Sequence, residues 1–421
     1  MEKIIVDGGH ALEGRVKIDG MKNAAVAIMF ASIVTGGICV IENLPNINDV
    51  SVALDILKSV GATVRRLDKN TAEIDASTVK NVSAPDELVR KMRASYYLAG
   101  AMLGKFGNVV IGLPGGCDFG ARPVDQHIKA FRALGAAADA DGEHITAKAE
   151  NGLSGSVIYF DCVTVGGTIN AMIAAVCANG DTVIYNAARE PHIVDLANFL
   201  NTCGARISGA GTNVIKIRGG ASLHGCTYDI IPDMLEAGAY MVAAAATHGS
   251  VYVDGVIPKH LSSISAKLSE MGADVEEFDD GVLVSAPGNL KSTNIKTLPY
   301  PGFPTDMQPL MAVLLCLSDG EGEIYETIYE NRFRYAEELK RMGAQVKVDG
   351  RRATFYGGTL HPASVRAVDL RAGAAMIIAA LAANGRTEID DIYHVERGYS
   401  DIIGKLKSLG AMIKKIDYTN V

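Results

Sequence analysis

The sequence predicts an α/β protein of two domains, each built from three copies of one repeat. The first observation is the pattern [Leu/Phe]-x-x-[apolar]-Gly-Ala, which occurs six times, about once every 70 residues, along the chain of 421 residues. The second is an Ala-rich, almost uncharged segment that recurs in phase with it. Six such units cannot share one small core, so two domains of three units each are expected.

The first pattern predicts the end of an amphipathic helix followed by a strand. Its copies begin at Leu57, Phe131, Leu200, Leu268, Leu339 and Leu406. In each copy the Gly stands where a helix ends in a left-handed residue. A strand-like run follows, as in Thr63-Val-Arg-Arg or Gln345-Val-Lys-Val.

The Ala-rich segments predict helices that are buried on every side, because they are apolar nearly all round. They cover residues 23–37, 94–107, 168–180, 237–249, 307–320 and 372–385. Their apolar parts are shorter than the roughly 20 residues that a membrane span requires. Each unit is therefore expected to contain a strand, a buried helix, a strand, an amphipathic helix and further strands.

Composition excludes several classes of protein. With 48% hydrophobic residues the chain can bury two good-sized cores, and no charged-then-apolar leader precedes them, so secretion is not expected. The seven cysteines form no C-x-x-C pair, which indicates reduced thiols in a cytosol, with no disulfide framework or zinc site. The nine histidines are scattered, so no metal site is expected.

Charge and glycine patterns argue against nucleic-acid and cofactor chemistry. The net charge is −8 and no basic run is present, so nucleic acid is not an expected partner. The chain has neither a Walker A pattern nor a Gly-x-Gly-x-x-Gly that opens a helix after a strand. Nucleotide hydrolysis and dinucleotide redox chemistry are therefore disfavoured.

The segment from Leu113 to His127 carries the densest candidate chemistry. Its glycines make a loop that can approach a ligand closely, and Cys117 lies at its centre with Arg122 five residues on. A thiol near cations can act as a nucleophile or an acid. A Gly-rich surface turn with an incidental cysteine is the alternative. The start of a helix after Arg122 suggests anion binding there.

Charged residues at the starts of buried helices form a second set of candidates. Lys22 and Arg93 precede buried helices, at the ends that favour anions, although a solvated surface charge is the alternative for each. Asp306 begins the fifth buried helix and Asp369 begins the sixth. Either carboxylate could be a catalytic base or simply a helix-start residue stabilised by the helix dipole.

The loop Gly-Gly-Cys117-x-x-Gly-Ala-Arg122-Pro-Val-Asp125 resembles the signature of the UDP-N-acetylglucosamine enolpyruvyl transferases. The resemblance extends over essentially the whole chain, in long co-linear stretches. These include Lys22-Asn23-Ala-Ala, Met92-Arg93-Ala-Ser, Ala187-Ala-Arg-Glu-Pro191, Phe303-Pro-Thr-Asp306-Met-Gln308, Glu330-Asn-Arg-Phe333, Asp369-Leu-Arg371-Ala and Tyr393-His-x-x-Arg397-Gly-Tyr.

The family fold implied by this resemblance is a two-domain, inside-out α/β barrel, in which sheets surround buried helices. It implies one domain over 22–230 and a second over 1–21 and 231–421, with the active site in the cleft between them. It also implies a bacterial cytoplasmic enzyme of peptidoglycan precursor synthesis that needs no metal or organic cofactor and binds no membrane.

The reaction implied is transfer of the enolpyruvyl group of phosphoenolpyruvate to the 3-hydroxyl of UDP-N-acetylglucosamine, with loss of phosphate. In the family pattern Cys117 is the acid and the target of fosfomycin-type inhibitors, and Asp306 is the base. The implied contacts of phosphoenolpyruvate are Lys22, Asn23, Arg122 and Arg397, of which Lys22 and Arg397 are also catalytic. Those of the nucleotide sugar are Arg93, Arg122, Pro123, Val124, Asp125, Gln126, Cys162, Val163, Thr164, Val165, Asp306 and Ile328. Asp369 and Arg371 are further candidates.

Two departures and two alternatives accompany the resemblance. Relatives often carry Lys where Cys162 stands and Ser where Thr164 stands, and usually Arg-Ile where Met234-Leu235 stand. These changes concern affinity for the nucleotide sugar. The nearer alternative is the sister enzyme that makes 5-enolpyruvylshikimate-3-phosphate, but its members lack the Cys loop. The other is a non-catalytic paralogue that binds nucleotide sugar, against which Cys117, Asp306 and Arg397 argue.

Overall fold

The computed structural model describes residues 2–113 and 124–417, which form two compact units. One unit, here called the inserted unit, is Gly20–Ile231. The other, the flanking unit, combines Met1–Asp19 with Pro232–Val421. The flanking unit contains both ends of the chain because its first strand pairs with two strands near the C-terminus, as in the register of Ile4 with Ile389.

Apart from the four-residue helix Asp86–Val89, the α-helices of the described chain alternate between two kinds, one buried and one amphipathic. In chain order they are α1 (Lys22–Thr35), α2 (Asn48–Ser59), α3 (Asp86–Val89), α4 (Tyr97–Phe106), α5 (Asp125–Ala133), α6 (Val165–Ala175), α7 (Pro191–Thr202), α8 (Met234–Ala246), α9 (Pro258–Glu270), α10 (Gln308–Leu317), α11 (Ala336–Arg341), α12 (Leu370–Ala382) and α13 (Ile402–Ser408). Short 3-10 turns cover Arg93–Tyr96, Thr305–Met307 and Ile392–Arg397.

The strands are short and lie between these helices. They are β1 (Glu2–Gly8), β2 (Glu13–Lys17), β3 (Ile38–Glu42), β4 (Thr63–Arg66), β5 (Ala72–Asp75), β6 (Asn108–Gly112), β7 (Ala137–Ala140), β8 (His144–Lys148), β9 (Val157–Tyr159), β10 (Asp181–Tyr185), β11 (Arg206–Ser208), β12 (Val214–Arg218), β13 (Thr227–Asp229), β14 (Ser250–Asp254), β15 (Asp274–Glu277), β16 (Gly281–Ser285), β17 (Ile295–Lys296), β18 (Glu321–Tyr325), β19 (Gln345–Asp349), β20 (Arg352–Tyr356), β21 (Ser364–Arg366), β22 (Gly385–Asp390) and β23 (Met412–Asp417).

Within the described chain these strands form six small sheets, three in each unit. The inserted unit has the orders β13-β3-β5-β4, β6-β8-β7 and β11-β12-β10-β9. The flanking unit has β15-β16-β14-β2, β17-β18-β20-β19 and β21-β22-β1-β23. In the inserted unit β13 pairs in parallel with β3, which joins the end of the third repeat to the first. The expected sixfold α/β repeat is confirmed.

The core of each unit is a group of three buried helices that contact one another. They are α1, α4 and α6 in the inserted unit, and α8, α10 and α12 in the flanking unit. Every residue of α8 is buried, and so is nearly every residue of α12. The prediction of six helices buried on every side is therefore confirmed, with sheets on their outer sides.

The six glycines of the first repeat pattern all have positive φ. The values lie between 92° at Gly343 and 98° at Gly204 and Gly272. Only a residue without a Cβ adopts this conformation readily, and it ends a helix sharply before the next strand. The predicted helix ends are thus confirmed at all six positions.

A buried charge network anchors the start of α8 in the flanking unit. The Nζ of Lys405 on α13 lies 2.6 Å from Oε1 of Glu236 and 3.0 Å from Oδ2 of Asp19. Burial raises the pKa of Glu236 to about 7, although Lys405 acts to lower it. The network ties the chain just before the inserted unit to the chain just after it.

Among the helices of the described chain, none combines the length and the apolar character that a membrane span requires.

Candidate active site

Three of the predicted site residues, Cys117, Arg122 and Pro123, lie outside the described residues. Val124, the first described residue after them, is half-buried and directly precedes α5. The remaining candidates fall into groups within the inserted unit and groups within the flanking unit.

The Lys22 side chain is held by a buried carboxylate. Lys22 is the first residue of α1, and its Nζ lies 2.9 Å from Oδ2 of Asp49 on α2. Asp49 is only 3% exposed. Such a charge-assisted contact fixes the position of the ammonium group at the helix start, beside half-buried Asn23. Sequence reasoning missed Asp49. It could have been found, because an acidic residue on the buried apolar face of an amphipathic helix indicates a buried cationic partner.

A buried histidine network organises the region around Arg93. The guanidinium of Arg93 lies 5.7 Å from the centre of the Tyr96 ring. Asn170 donates from Nδ2 to the Tyr96 carbonyl at 3.0 Å and lies 2.8 Å from Nδ1 of His127. Its Oδ1 accepts from the Gly100 amide, so its NH₂ group faces His127 and Nδ1 of His127 is an acceptor.

This geometry requires a neutral imidazole. Burial first, and then the charge of Arg93, lowers the pKa of His127 to about 4. A neutral ring adds no positive charge to the neighbourhood of Arg93. Sequence reasoning missed His127 as a structural member of the site, because its partners Asn170 and Tyr96 lie far away in the chain.

We expect acidification to weaken this network. A histidine whose folded pKa is about 4 and whose unfolded pKa is about 6.5 contributes stability that is complete above pH 6.5 and is lost as the pH falls to 4. The loss amounts to at most about 3 kcal/mol. Urea denaturation of the wild-type protein and of His127→Gln at several pH values measures it. The stability advantage of wild type should shrink on acidification, and an advantage independent of pH would contradict the assignment.

A second group in the inserted unit joins the start of α5 to the segment before α6. The Asp161 amide donates to Oε1 of Gln126 at 3.0 Å, and Nε2 of Gln126 donates to Oδ2 of Asp161 at 3.1 Å. Partial burial, and then the carboxylates of Asp125 and Asp161, raise the pKa of the exposed Cys162 thiol. The structure thus brings together the two predicted segments 125–126 and 162–165.

Thr164 begins α6. Its Oγ1 accepts from the Gly167 amide at 3.2 Å, and the half-buried Val163 and Val165 flank it. Lys129 adds a cation to this region, since its Nζ lies 2.6 Å from Oδ1 of Asp161. Lys129 was not among the predicted residues, but it lies one helical turn after Asp125 on α5.

In the flanking unit Asp306 lies between two buried guanidinium groups. It belongs to the 3-10 turn Thr305–Met307 that leads into α10. Nη2 of Arg332 is 3.0 Å from Oδ1, and Nε of Arg371 is 3.3 Å from Oδ2. The two arginine side chains are 3% and 4% exposed, while that of Asp306 is 32% exposed. The carboxylate is therefore held in a fixed orientation and remains accessible.

Glu326 positions the segments on both sides of this carboxylate. Its side chain is fully buried and accepts from Thr305 Oγ1 at 2.8 Å through Oε2. Oε1 accepts from the Ile328 amide at 2.7 Å and from the Tyr329 amide at 3.1 Å. Ile328, a predicted contact of the nucleotide sugar, is thus fixed by the same residue that holds Thr305. The sequence contains no pattern that singles out Glu326.

Asp369 is the N-cap of α12. Its Oδ1 accepts from the amides of Arg371 and Ala372 at 2.8 and 2.9 Å, and the residue is 3% exposed. The structure therefore supports the helix-start interpretation of Asp369. Its neighbour Arg371 reaches Asp306 from the same helical turn.

We expect Asp369 to act mainly through this cap. Asp369→Ala should lower the free energy of unfolding by about 1–2 kcal/mol, and Asp369→Ser should recover most of the loss because serine also caps helices. Thermal or urea denaturation of both variants measures this effect. If Asp369→Ser keeps the stability of the wild type but loses turnover more than about 100-fold, Asp369 has a catalytic role instead.

The last two predicted features lie elsewhere in the flanking unit. Arg397 ends the 3-10 turn Ile392–Arg397 and is half-buried. Burial lowers the pKa of His394, and the positive charge of Arg397 lowers it further. Met234 and Leu235 begin α8 and are almost fully buried, with the Asp233 side chain capping the helix. Apolar residues suit that buried position.

Comparison with known proteins assigns this architecture to a family. The family described as EPSP synthase (3-phosphoshikimate 1-carboxyvinyltransferase) matches residues 6–406. The chain is 56% identical over 417 residues to UDP-N-acetylglucosamine 1-carboxyvinyltransferase 3 of Caldanaerobacter subterraneus, covering 99% of this chain and 100% of that one. It is 52% identical over 418 residues to UDP-N-acetylglucosamine 1-carboxyvinyltransferase of Clostridium botulinum, with 99% and 100% covered. The chain belongs to the EPSP synthase family of enolpyruvyl (carboxyvinyl) transferases and is an enzyme.

Solved structures confirm the fold. The enolpyruvyl transferase NikO from Streptomyces tendae superposes with a TM-score of 0.88 at 26% identity, covering 98% of each chain. EPSP synthase from Acinetobacter baumannii superposes with a TM-score of 0.76 at 17% identity, over 99% of this chain and 100% of that one. The predicted enolpyruvyl transferase fold is therefore confirmed.

Proposed function

We propose that this protein transfers the enolpyruvyl group of phosphoenolpyruvate to the 3-hydroxyl of UDP-N-acetylglucosamine and releases phosphate. The observation that carries the proposal is identity above 50% over nearly the full length to enzymes named for that reaction. The reaction is an early step of peptidoglycan precursor synthesis. The expected location is the bacterial cytoplasm, with which the six free cysteines of the described residues agree.

The reaction is an addition followed by an elimination. In the addition Asp306 accepts the proton of the sugar 3-hydroxyl, whose oxygen bonds to C2 of phosphoenolpyruvate, while Cys117 gives a proton to the methylene carbon. In the elimination the methyl group gives a proton back to a base of the site, the carbon–carbon double bond forms again, and the bond from C2 to the phosphate oxygen breaks so that phosphate leaves. The arginine contacts of Asp306 support its role, since they orient a carboxylate that solvent can still reach.

Fixed cations stabilise the charge that develops on the ketal and the leaving phosphate. Lys22, Arg122 and Arg397 are assigned to phosphoenolpyruvate, with Asn23 beside the reacting carbons. The ion pair of Lys22 with Asp49 supports this assignment, because it holds the ammonium group in place before the substrate arrives.

The nucleotide sugar is assigned to Arg93, the segment 122–126, the segment 162–165 and Ile328. Where relatives often carry a lysine, this chain has Cys162. Lys129 lies in the same region through its contact with Asp161, so its side chain brings a cation there. The departure at Cys162 is therefore compatible with binding of a diphosphate.

Phosphate release with alternative acceptors tests the proposal. With phosphoenolpyruvate present, UDP-N-acetylglucosamine should release phosphate, and shikimate-3-phosphate should not. If shikimate-3-phosphate is the one acceptor that leads to phosphate release, the chain has the sister activity. If neither acceptor leads to phosphate release, the chain is a non-catalytic paralogue. In the same protein fosfomycin should add covalently to Cys117, as read by peptide mass spectrometry. The exposed Cys162 is the internal control for non-specific alkylation.

A further inference from the structure

Three cysteines that are far apart in the sequence converge inside the inserted unit. The Sγ atoms of Cys39, Cys203 and Cys226 all lie within 4.8 Å of one another. Those of Cys203 and Cys226 are 3.3 Å apart, and all three are free thiols. Cys39 and Cys203 are fully buried, and Cys226 is half-buried. Within the described residues this is the one group of three or more metal-ligating side chains with such spacing.

Each thiol comes from a different element, and the backbone fixes all three. Cys39 lies on β3, Cys226 directly precedes β13, and Cys203 directly follows α7 as its C-cap. The Val40 amide donates to the Cys226 carbonyl at 2.8 Å, which ties β3 to the segment of Cys226. The His224 amide donates to the Cys203 carbonyl at 2.9 Å, which ties that segment to the end of α7.

Two glycines allow the backbones to approach closely enough for the sulfur atoms to meet. A Cβ on Gly225 would collide with the Ile38 carbonyl, and a Cβ on Gly37 would lie 2.8 Å from the Gly225 nitrogen. Larger residues at these positions would force β3 away from the segment that carries Cys226. The close arrangement of the thiols is therefore part of the backbone packing and does not depend on side-chain rotation alone.

We propose that Cys39, Cys203 and Cys226 bind one zinc ion. Thiolate sulfur is a preferred ligand of Zn²⁺, with bonds of about 2.3 Å, which place the sulfur atoms about 3.8–4.0 Å apart. The observed spacing needs only small side-chain adjustments to reach that geometry. Binding exchanges the three thiol protons for the ion, which leaves a net charge of −1 on the site. The half-buried side of Cys226 admits water as the fourth ligand.

Zn²⁺ fits this site better than Cu⁺. Three thiolates around Cu⁺ would leave a net charge of −2 in a largely buried position, which costs more desolvation than −1. The ion would clamp the end of α7 to the junction of β3 and β13, where the third repeat of the inserted unit meets the first. Thr35 supports the arrangement, since its Oγ1 lies 3.6 Å from Cys39 Sγ.

The test uses the full chain, reduced and stripped of metal with a chelator. Zn²⁺ is added in competition with a chromophoric chelator, and Cd²⁺ is used in a parallel titration to record the thiolate-to-metal absorption band. We expect one ion per chain. Cys226→Ser is the main variant because Cys226 is the least buried of the three, and it should weaken zinc binding at least about 100-fold. Thr35→Val should weaken it about 10-fold.

Matched controls separate this site from the other thiols. Cys162→Ser removes an exposed cysteine, and Cys177→Ser removes one of the half-buried ones, so both should bind zinc like the wild type. Zinc should raise the melting temperature of the wild type and of these controls, but not that of Cys226→Ser. Circular dichroism checks that each variant is folded.

Two results would overturn the proposal. One is zinc binding by Cys226→Ser as tight as that of the wild type, or a loss of zinc binding in Cys162→Ser. Either outcome would place the ion elsewhere. The other is a wild-type chain that binds no zinc under reducing conditions.

Discussion

Asp306→Asn is expected to lower turnover about 10²–10⁴-fold, the contribution of a positioned acid–base group. Asparagine has nearly the same shape but cannot accept the proton of the sugar hydroxyl. The substitution also removes the negative charge between the buried guanidinium groups of Arg332 and Arg371, which lie 3.0 and 3.3 Å from the carboxylate. We therefore expect a second effect, a lower free energy of unfolding, because both arginines lose an anionic partner.

Steady-state phosphate release and calorimetric titration with UDP-N-acetylglucosamine separate these effects. Affinity for the nucleotide sugar should change much less than turnover, because binding is spread over many contacts. Asp349→Asn, an exposed carboxylate at a hairpin, is the matched control and should leave turnover unchanged. If Asp306→Asn turns over within about threefold of wild type, far below the range expected for a lost base, the base must be another group or a bound water.

Lys405→Met is expected to destabilise the flanking unit more at pH 8 than at pH 5, by roughly 1–3 kcal/mol, because the ionised carboxylate of Glu236 then has no cationic partner. Nζ of Lys405 lies 2.6 Å from Glu236, which is almost fully buried. Methionine fills a similar volume but offers no charge. Glu236 must then remain ionised and unpaired or take up a proton.

The pH dependence of this loss follows from Glu236. Burial raises its folded pKa to about 7, above the unfolded value near 4.5, so its contribution to stability is complete below about pH 4.5 and is lost as the pH rises through 7. Without Lys405 the folded pKa rises further, and the window of loss extends to higher pH. The difference in stability between wild type and Lys405→Met should therefore be greater at pH 8 than at pH 5, by roughly 1–3 kcal/mol.

Urea denaturation followed by circular dichroism at both pH values measures this difference. Lys407→Met, on the exposed side of the same helix, is the matched control and should be nearly neutral. Adding Glu236→Gln to Lys405→Met should recover much of the stability at pH 8, because the unpaired charge is gone. A loss that is equal at both pH values would contradict the role assigned to Glu236.

The repeat architecture was predictable from the sequence because it depends on local chemistry. The spacing of the Leu-x-x-x-Gly-Ala copies identified six helix ends, and each of their glycines has positive φ. The uncharged Ala-rich segments identified the six core helices. Helix ends and burial on every side are properties of short stretches of chain, so periodicity reveals them.

The candidate site was predictable only in part. Motif resemblance pointed to Lys22, Asp306 and Arg397, and the position of Asp306 before a buried helix agrees with the structure. The roles assigned to these residues stay predictions, and Cys117 and Arg122 lie outside the described residues. For Asp369, position alone left two interpretations open, and the cap contacts seen in the structure favour the structural one.

The sequence by itself determined the repeat, the core helices, the helix ends and the reaction family. Only the tertiary structure decided which side chains meet: Lys22 with Asp49, Asp306 with Arg332 and Arg371, and Cys39 with Cys203 and Cys226. Sequence periodicity specifies which face of an element is buried, but not which element packs against that face. Pairs separated by 26 to 187 residues depend on how elements pack within and between the repeats, so their chemistry appears only when the chain is folded.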